Sequence, residues 1–210
     1  MVYWASMPSF DSIRRHPLLT LCVAAILYIA LISGVIVGGG WQVEEKLSKP
    51  TYPHQRVMEA SQPTRDLLIY DSEHYYNIAT EGYIVGSYST AFFPLYPLLV
   101  RMVSSMIPTD IAMLVVSWSF TVGATIFLYL WARAELAYRK QTIGITPHVF
   151  LFLLAIYPFS FFMVMGYTES LFICLTAAAL YYYRTGRPWL AGIFALLSGL
   201  TRVQGLMIIA

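Results

Sequence analysis

Apolar runs of membrane-spanning length, separated by short polar connections, make up most of this 210-residue chain. The run from Pro17 to Val37 carries no charge and follows Arg14-Arg15-His16. It exceeds the roughly 7 to 15 residues of a signal-peptide core and lacks a small-residue cleavage site, so it predicts an uncleaved first span over about 17–39 with a cytoplasmic N-terminus. Gly34 and Gly38 on this run form a small-xxx-small pair, a spacing common by chance. Asp110 to Trp131, Pro147 to Gly166 and Ser170 to Tyr183 predict further spans, and another starts at Pro188 and runs to Ala210. Ala91 to Ile107 is apolar but short, bears Pro94 and Pro97, and holds Arg101, so it reads as a re-entrant or interfacial helix rather than a crossing. With that reading, Arg14, Arg139 and Arg184 all fall on the cytoplasmic side, while Asp71 and Glu169 share the opposite interface.

One long polar segment interrupts the pattern. Residues 41–90 hold Lys46, Lys49, Arg56 and Arg65 against Glu44, Glu45, Glu59, Asp66, Asp71, Glu73 and Glu81, a balance that suits the non-cytoplasmic side. Its first half, through Pro50, Pro53 and Pro63, has no sustained period and reads as loop. From Asp71 the period becomes helical: Asp71, His74, Tyr75 and Ile78 share one face, and Gly82 stands where the helix should stop.

These elements make 1–210 a single multi-span, all-α polytopic membrane domain. The last run stops in mid-helix at Ile208-Ile209-Ala210, as expected of the N-terminal part of a longer protein. Composition agrees: 58% of residues are hydrophobic and 11% charged, against about a quarter charged in a soluble domain. A net charge of +2, scattered along the chain, gives no nucleic-acid footprint. Cys22 and Cys174 sit in apolar runs and form neither a disulfide framework nor a zinc spacing.

The chemistry concentrates in Tyr70 to Pro97, where carboxylates, a histidine and many aromatics crowd together. Asp71, just outside the bilayer, could act as a general base for a hydroxyl arriving from water; it equally suits the N-cap of the following helix. Asp71-Ser72-Glu73 resembles a D-x-D pattern, with His74 as a further potential ligand. A hard cation needs about six oxygens, so no metal site is assigned, although a divalent cation is possible. His74 could orient a substrate hydroxyl or simply pack. Arg202 falls inside an apolar run, where a guanidinium needs pairing or hydration; phosphate binding, a structural carboxylate partner and snorkelling remain alternatives. Glu169 lies at a span boundary, with Tyr167 and Thr168 placed to cap the next helix, and Arg101 could meet an anionic headgroup or snorkel. Phe92, Phe93 and Tyr96 suit interfacial anchoring better than sugar stacking.

Four motifs in order then carry a resemblance. Tyr70-Asp71-Ser72-Glu73-His74-Tyr75 with Ile78-Ala79 and Gly82-Tyr83, Phe92-Phe93-Pro94-Leu95-Tyr96-Pro97, Tyr157-Pro158-Phe159-Ser160-Phe161-Phe162 with Tyr167-Thr168-Glu169-Ser170-Leu171-Phe172, and Gly199-Leu200-Thr201-Arg202 with Gly205 together resemble the PIG-V family of GPI mannosyltransferase 2-like enzymes. The resemblance implies a GT-C-like transmembrane helix bundle that transfers mannose with inversion from a polyprenyl or dolichyl phosphate donor to a glycolipid or GPI-type acceptor. It places the catalytic aspartate at Asp71, without a resident cofactor. Glu73, His74, Arg101, Tyr167, Glu169 and Arg202 are the candidate substrate-binding residues. The chain departs from the family at Tyr70, often Trp, at Tyr157, often Asn, and at Gln204, often Asn. The implied location is the endoplasmic reticulum membrane in a eukaryote or the plasma membrane in a bacterium. A transporter or flippase of a lipid-linked substrate and a non-catalytic partner of a glycosyltransferase complex are the competing classes.

Overall fold

The computed structural model describes residues 16–40, 64–139 and 146–208. Arg14, Arg15 and the proline-rich loop with Glu44, Glu45, Lys46, Lys49, Arg56 and Glu59 lie outside the described residues, and with them much of the loop's expected charge balance. Among the described residues every regular element is helical: α1 (His16–Gly40), α2 (Ser72–Glu81), α3 (Leu95–Ser104), α4 (Thr109–Arg139), α5 (Pro147–Ala155), α6 (Glu169–Arg184) and α7 (Pro188–Gly199), joined by short 3-10 turns.

Among the described residues two helices are long and apolar enough to cross a membrane, over Pro17–Gly39 and Thr109–Arg139. On α1, Leu21, Ala25 and Ile29 form a narrow buried ridge at four-residue spacing, while Leu19, Val23, Leu27, Leu31 and Val35 form a parallel ridge that is exposed. A helix apolar on its unpartnered side is suited to lipid contact. Gly34 and Gly38 meet no neighbouring atom, so no close helix approach uses that pair among the described residues.

The spine of the molecule is α4, whose 31 residues extend about 46 Å. α6 lies along it in the same direction. The chain before α6 is fixed to α4 by side chains that reach backbone carbonyls: Ser117 Oγ to Tyr167 at 3.3 Å, Trp118 Nε1 to Val164 at 2.9 Å, and Thr121 Oγ1 to Met163. Further along, Phe127 packs on Tyr181 and Tyr182. α1 runs the opposite way, with Tyr28 Oη donating to Ser160 Oγ at 2.8 Å near its middle and Ile36 and Val37 against the core at its end. That core, which includes Leu68, Tyr75, Tyr96, Val100, Met113 and Leu171, sits at one end of the bundle beneath α2 and α3. At the other end Glu135 ties Arg139 and Arg184 together at 2.5 Å each, and Arg184 covers the Tyr138 ring.

α3 has 10 residues, about 15 Å, half of what the hydrocarbon layer demands, in keeping with a stretch that does not cross. Tyr96 on α3 is not an interfacial anchor but a fully buried core residue, its hydroxyl bonded to Met113 O at 3.1 Å and Ser117 Oγ at 3.0 Å. Two expected spans are shorter than their apolar runs. The Pro147 to Gly166 run breaks after α5, because Pro158 disfavours the helical region for Tyr157 and Ser160 Oγ takes the Ala155 carbonyl at 2.9 Å. The Pro188 to Ala210 run breaks after Gly199, where Thr201 Oγ1 bonds the Ser198 carbonyl and the chain folds back over α7. A β-carbon at Gly205 would lie 2.3 Å from Ser198 O, so this return path needs glycine there.

Candidate active site

The predicted helix after Asp71 forms as α2, with Gly82 as its C-cap. Its buried face differs from the expected one: Ser72, Tyr75, Ile78 and Ala79 turn inward, while Asp71 is exposed and His74 half-buried on the flank. Asp71 occupies the N-cap position with αR backbone and makes no side-chain capping bond. The capping alternative for Asp71 is therefore corrected.

What holds this segment is not α2 itself but the chain in front of α6. Gly166 N–H donates to the Leu67 carbonyl at 3.1 Å, and Ser72 Oγ donates to the Gly166 carbonyl at 3.1 Å. The Tyr167 hydroxyl donates to the Ile69 carbonyl at 3.0 Å and accepts from the Asp71 N–H at 3.2 Å. Tyr75 Oη meets Thr168 Oγ1 at 3.5 Å. A β-carbon at Gly166 would lie 2.2 Å from the buried Leu68 Cδ2, so a larger residue there would have to displace the Leu68 side chain.

Glu169 opens α6, where its charge complements the helix dipole. Thr168 stands at the N-cap position but makes no side-chain capping bond, so the expected capping role is not taken up. Glu169 Oε1 forms an ion pair with Arg202 Nη1, and Glu169 Oε2 is buried without a partner. Arg202 thus lies in the break after α7 rather than inside a spanning helix, with its side chain 34% exposed. The Leu95 N–H donates to the Leu200 carbonyl at 3.1 Å, which sets the start of α3 beside this pair.

Tyr75 stands between the two halves. Burial pushes its phenol up to about 12, the negative charges of Glu169 and Asp71 add to the rise, and the Thr168 hydrogen bond and Arg202 oppose it. Asp71, Glu169 and Arg202 therefore all act on one phenol. Tyr167 is likewise raised, mainly by burial, so it stays a neutral donor and acceptor at neutral pH. His74 stacks on Phe92 with ring centroids 4.6 Å apart, and Phe92 meets the edge of Tyr75.

Of the seven site candidates, Asp71, Tyr167, Glu169 and Arg202 are gathered around Tyr75, with His74 alongside. Glu73 is half-buried one position past the inward-turned Ser72 and joins no hydrogen bond or ion pair of the cluster. Arg101 is exposed on the last turn of α3, outside the cluster. Among the described residues no three His, Cys, Asp or Glu side chains gather as metal ligands. A small cavity between α1, α4 and α5, lined by Tyr28, Thr125, Leu151 and Ser160, shares no lining residue with the cluster around Tyr75. Sequence reasoning gave Thr168 only a capping role, passed over Ser72 between the two carboxylates, and missed Gly166, whose sole signal is a glycine just before Tyr167.

Among the described residues, an all-helical body with two membrane-length helices, carrying a carboxylate, tyrosine and ion-pair cluster at one end, fits a membrane protein. The family model described as Mannosyltransferase (PIG-V) matches residues 42–210, and the chain belongs to that family. α1 lies ahead of the matched residues. The chain is 31% identical over 150 residues to the GPI alpha-1,6-mannosyltransferase 2 of Cricetulus griseus, covering 66% of this chain and 29% of that protein. It is 29% identical over 149 residues to that of Mus musculus and 30% identical over 149 residues to that of Rattus norvegicus, with the same coverage. The match thus spans less than a third of these relatives' length. No solved structure matches the chain.

Proposed function

We propose that this chain carries the acceptor-activating part of a GT-C-type mannosyltransferase. The observation that carries the reading is the docking of the exposed Asp71 turn on Gly166-Tyr167-Thr168, one residue from the Glu169–Arg202 pair. A carboxylate free of capping duty and the Arg202 guanidinium both face Tyr75, at the end of the bundle opposite Glu135, Arg139 and Arg184.

In this reading the Asp71 carboxylate accepts the proton of an acceptor hydroxyl, and the hydroxyl oxygen attacks C1 of a mannosyl unit on a polyprenyl phosphate. The C1–O bond to the phosphate breaks with inversion, and the electron pair leaves with the lipid phosphate. Arg202 commits Nη1 to Glu169 and keeps its other N–H donors for that phosphate, so Glu169 orients the cation that neutralises the leaving group. His74, held on Phe92, and Glu73 border the acceptor side, and Arg101 meets anionic headgroups on the approach along α3. The acceptor is a GPI-type glycolipid, in line with the names of the mammalian relatives, and the family resemblance supplies dolichyl phosphate mannose as donor and the endoplasmic reticulum membrane as location.

The test is transfer of labelled mannose from polyprenyl phosphate mannose in membranes carrying the full-length protein, against Asp71→Asn at matched expression. Loss of transfer with retained folding supports the base. Unchanged transfer removes Asp71 from the chemistry, and absence of transfer by either protein favours a flippase or another donor.

A further inference from the structure

The turn that presents Asp71 has a backbone conformation that its own residues do not favour. Tyr70 has φ 56, the one non-glycine positive φ among the described residues. A β-carbon crowds the backbone there. The Tyr70 ring is 72% exposed, so its own burial does little to hold the conformation. Two long local bonds, Ser72 N–H to the Ile69 carbonyl and Glu73 N–H to the Tyr70 carbonyl at 3.4 Å each, leave the main restraint to a residue 96 to 98 positions along the chain. The Tyr167 hydroxyl bonds the carbonyl of Ile69 at 3.0 Å and the N–H of Asp71 at 3.2 Å, one peptide group on each side of Tyr70. Its ring is fixed in turn: it is 6% exposed and packs against Phe162 at 5.1 Å and Tyr75 at 6.4 Å between centroids.

We propose that Tyr167 is a positioning residue for Asp71: one buried hydroxyl pins both peptide groups flanking the left-handed Tyr70 and thereby fixes where the Asp71 carboxylate is presented. The assignment rests on Asp71 as the base. Its logic is that strained backbone persists only where surroundings over-determine it, and such places cluster at functional sites. The Tyr167 proton is spent on Ile69, so the ring's role is to hold the turn rather than to donate to a sugar. Removing the hydroxyl keeps the ring and its contacts but releases both bonds at once. The turn then relaxes out of the left-handed region and carries Asp71 with it.

The same physics gives a rescue. Glycine adopts positive φ about as readily as negative, so Tyr70→Gly removes the need for the clamp. Mannosyl transfer is measured in membranes carrying full-length Tyr167→Phe, the Tyr167→Phe/Tyr70→Gly double variant and Asp71→Asn, together with amide exchange over 67–75. Misplacement of a catalytic group by about 1 Å can cost about a hundredfold, so kcat of Tyr167→Phe is expected to fall roughly 10- to 100-fold. The KM for donor should stay within about twofold, as expected when no ground-state contact is lost. The Asp71 amide should exchange faster while α3 protection holds, and the double variant should recover most of the rate. A KM rise without rescue by Tyr70→Gly overturns the proposal and makes Tyr167 a substrate contact. Unchanged exchange at Asp71 in Tyr167→Phe overturns the clamp itself. Transfer that survives in Asp71→Asn overturns the base and, with it, the catalytic consequence of the clamp.

Discussion

The Ser72 hydroxyl donates to the Gly166 carbonyl at 3.1 Å, a buried bond between residues 94 positions apart. It shows how the loop carrying Asp71 becomes part of the bundle: the short α2 is held by polar bonds to the chain before α6, with Gly166 leaving the room.

Gly166→Ala should therefore disturb this joint more than the size of a methyl suggests. The new carbon would meet Leu68 Cδ2, and overpacking of this kind costs about 1 to 3 kcal/mol. Thermal unfolding in detergent should shift down for Gly166→Ala and less for Ser72→Ala, which leaves one carbonyl short of a donor at about 1 to 3 kcal/mol before any water replaces it.

Asp71→Ala should leave stability nearly unchanged. An N-cap aspartate is worth about 1 kcal/mol, but Asp71 makes no capping bond, so the change should stay within about 0.5 kcal/mol. Unfolding midpoints of the two proteins check this, and a drop of the full capping size would restore the cap.

The Glu169–Arg202 pair allows a separation of folding from transfer. Glu169→Gln should lower both, since it leaves Arg202 without its carboxylate; with both side chains partly exposed, the loss should be about 1 to 2 kcal/mol. The swap Glu169→Arg with Arg202→Glu should regain stability without regaining transfer, because the cation then sits on α6 and not in the break after α7. Recovery of both would show that only the pairing matters.

Tyr75 predicts an alkaline limit. Its phenol titrates at about 12 when folded against 10.0 ordinarily, so folded and unfolded forms are equally neutral below pH 10. Above that the unfolded chain ionises first, and stability of order 2 kcal/mol is lost as pH rises from about 10 to 12. Tyr75→Phe should flatten this part of the stability profile, measured by denaturation at stepped pH.

Much of this was legible in the order of residues. The charge-free run of α1, the long apolar stretch of α4, the helical period after Asp71 and its stop at Gly82 are local properties, and local sequence decides them. So did the motifs that placed the chain in its family, because they are short strings in a fixed order. Two features had to wait for the fold. Apolar composition says that a run avoids water, not whether its backbone stays helical: Pro158 signalled the break near Ala155 but was outweighed by the length of the run, and the break after Gly199 showed only in the return over Ser198. The partners of Asp71, Ser72 and Arg202 lie 33 to 96 residues away, and no periodicity encodes a bond of that range. Sequence alone determined which groups could do chemistry at the membrane. Only tertiary structure decided that Tyr167 holds the Asp71 turn and that Glu169 holds Arg202, because hydrogen bonds and ion pairs depend on distance in space rather than along the chain.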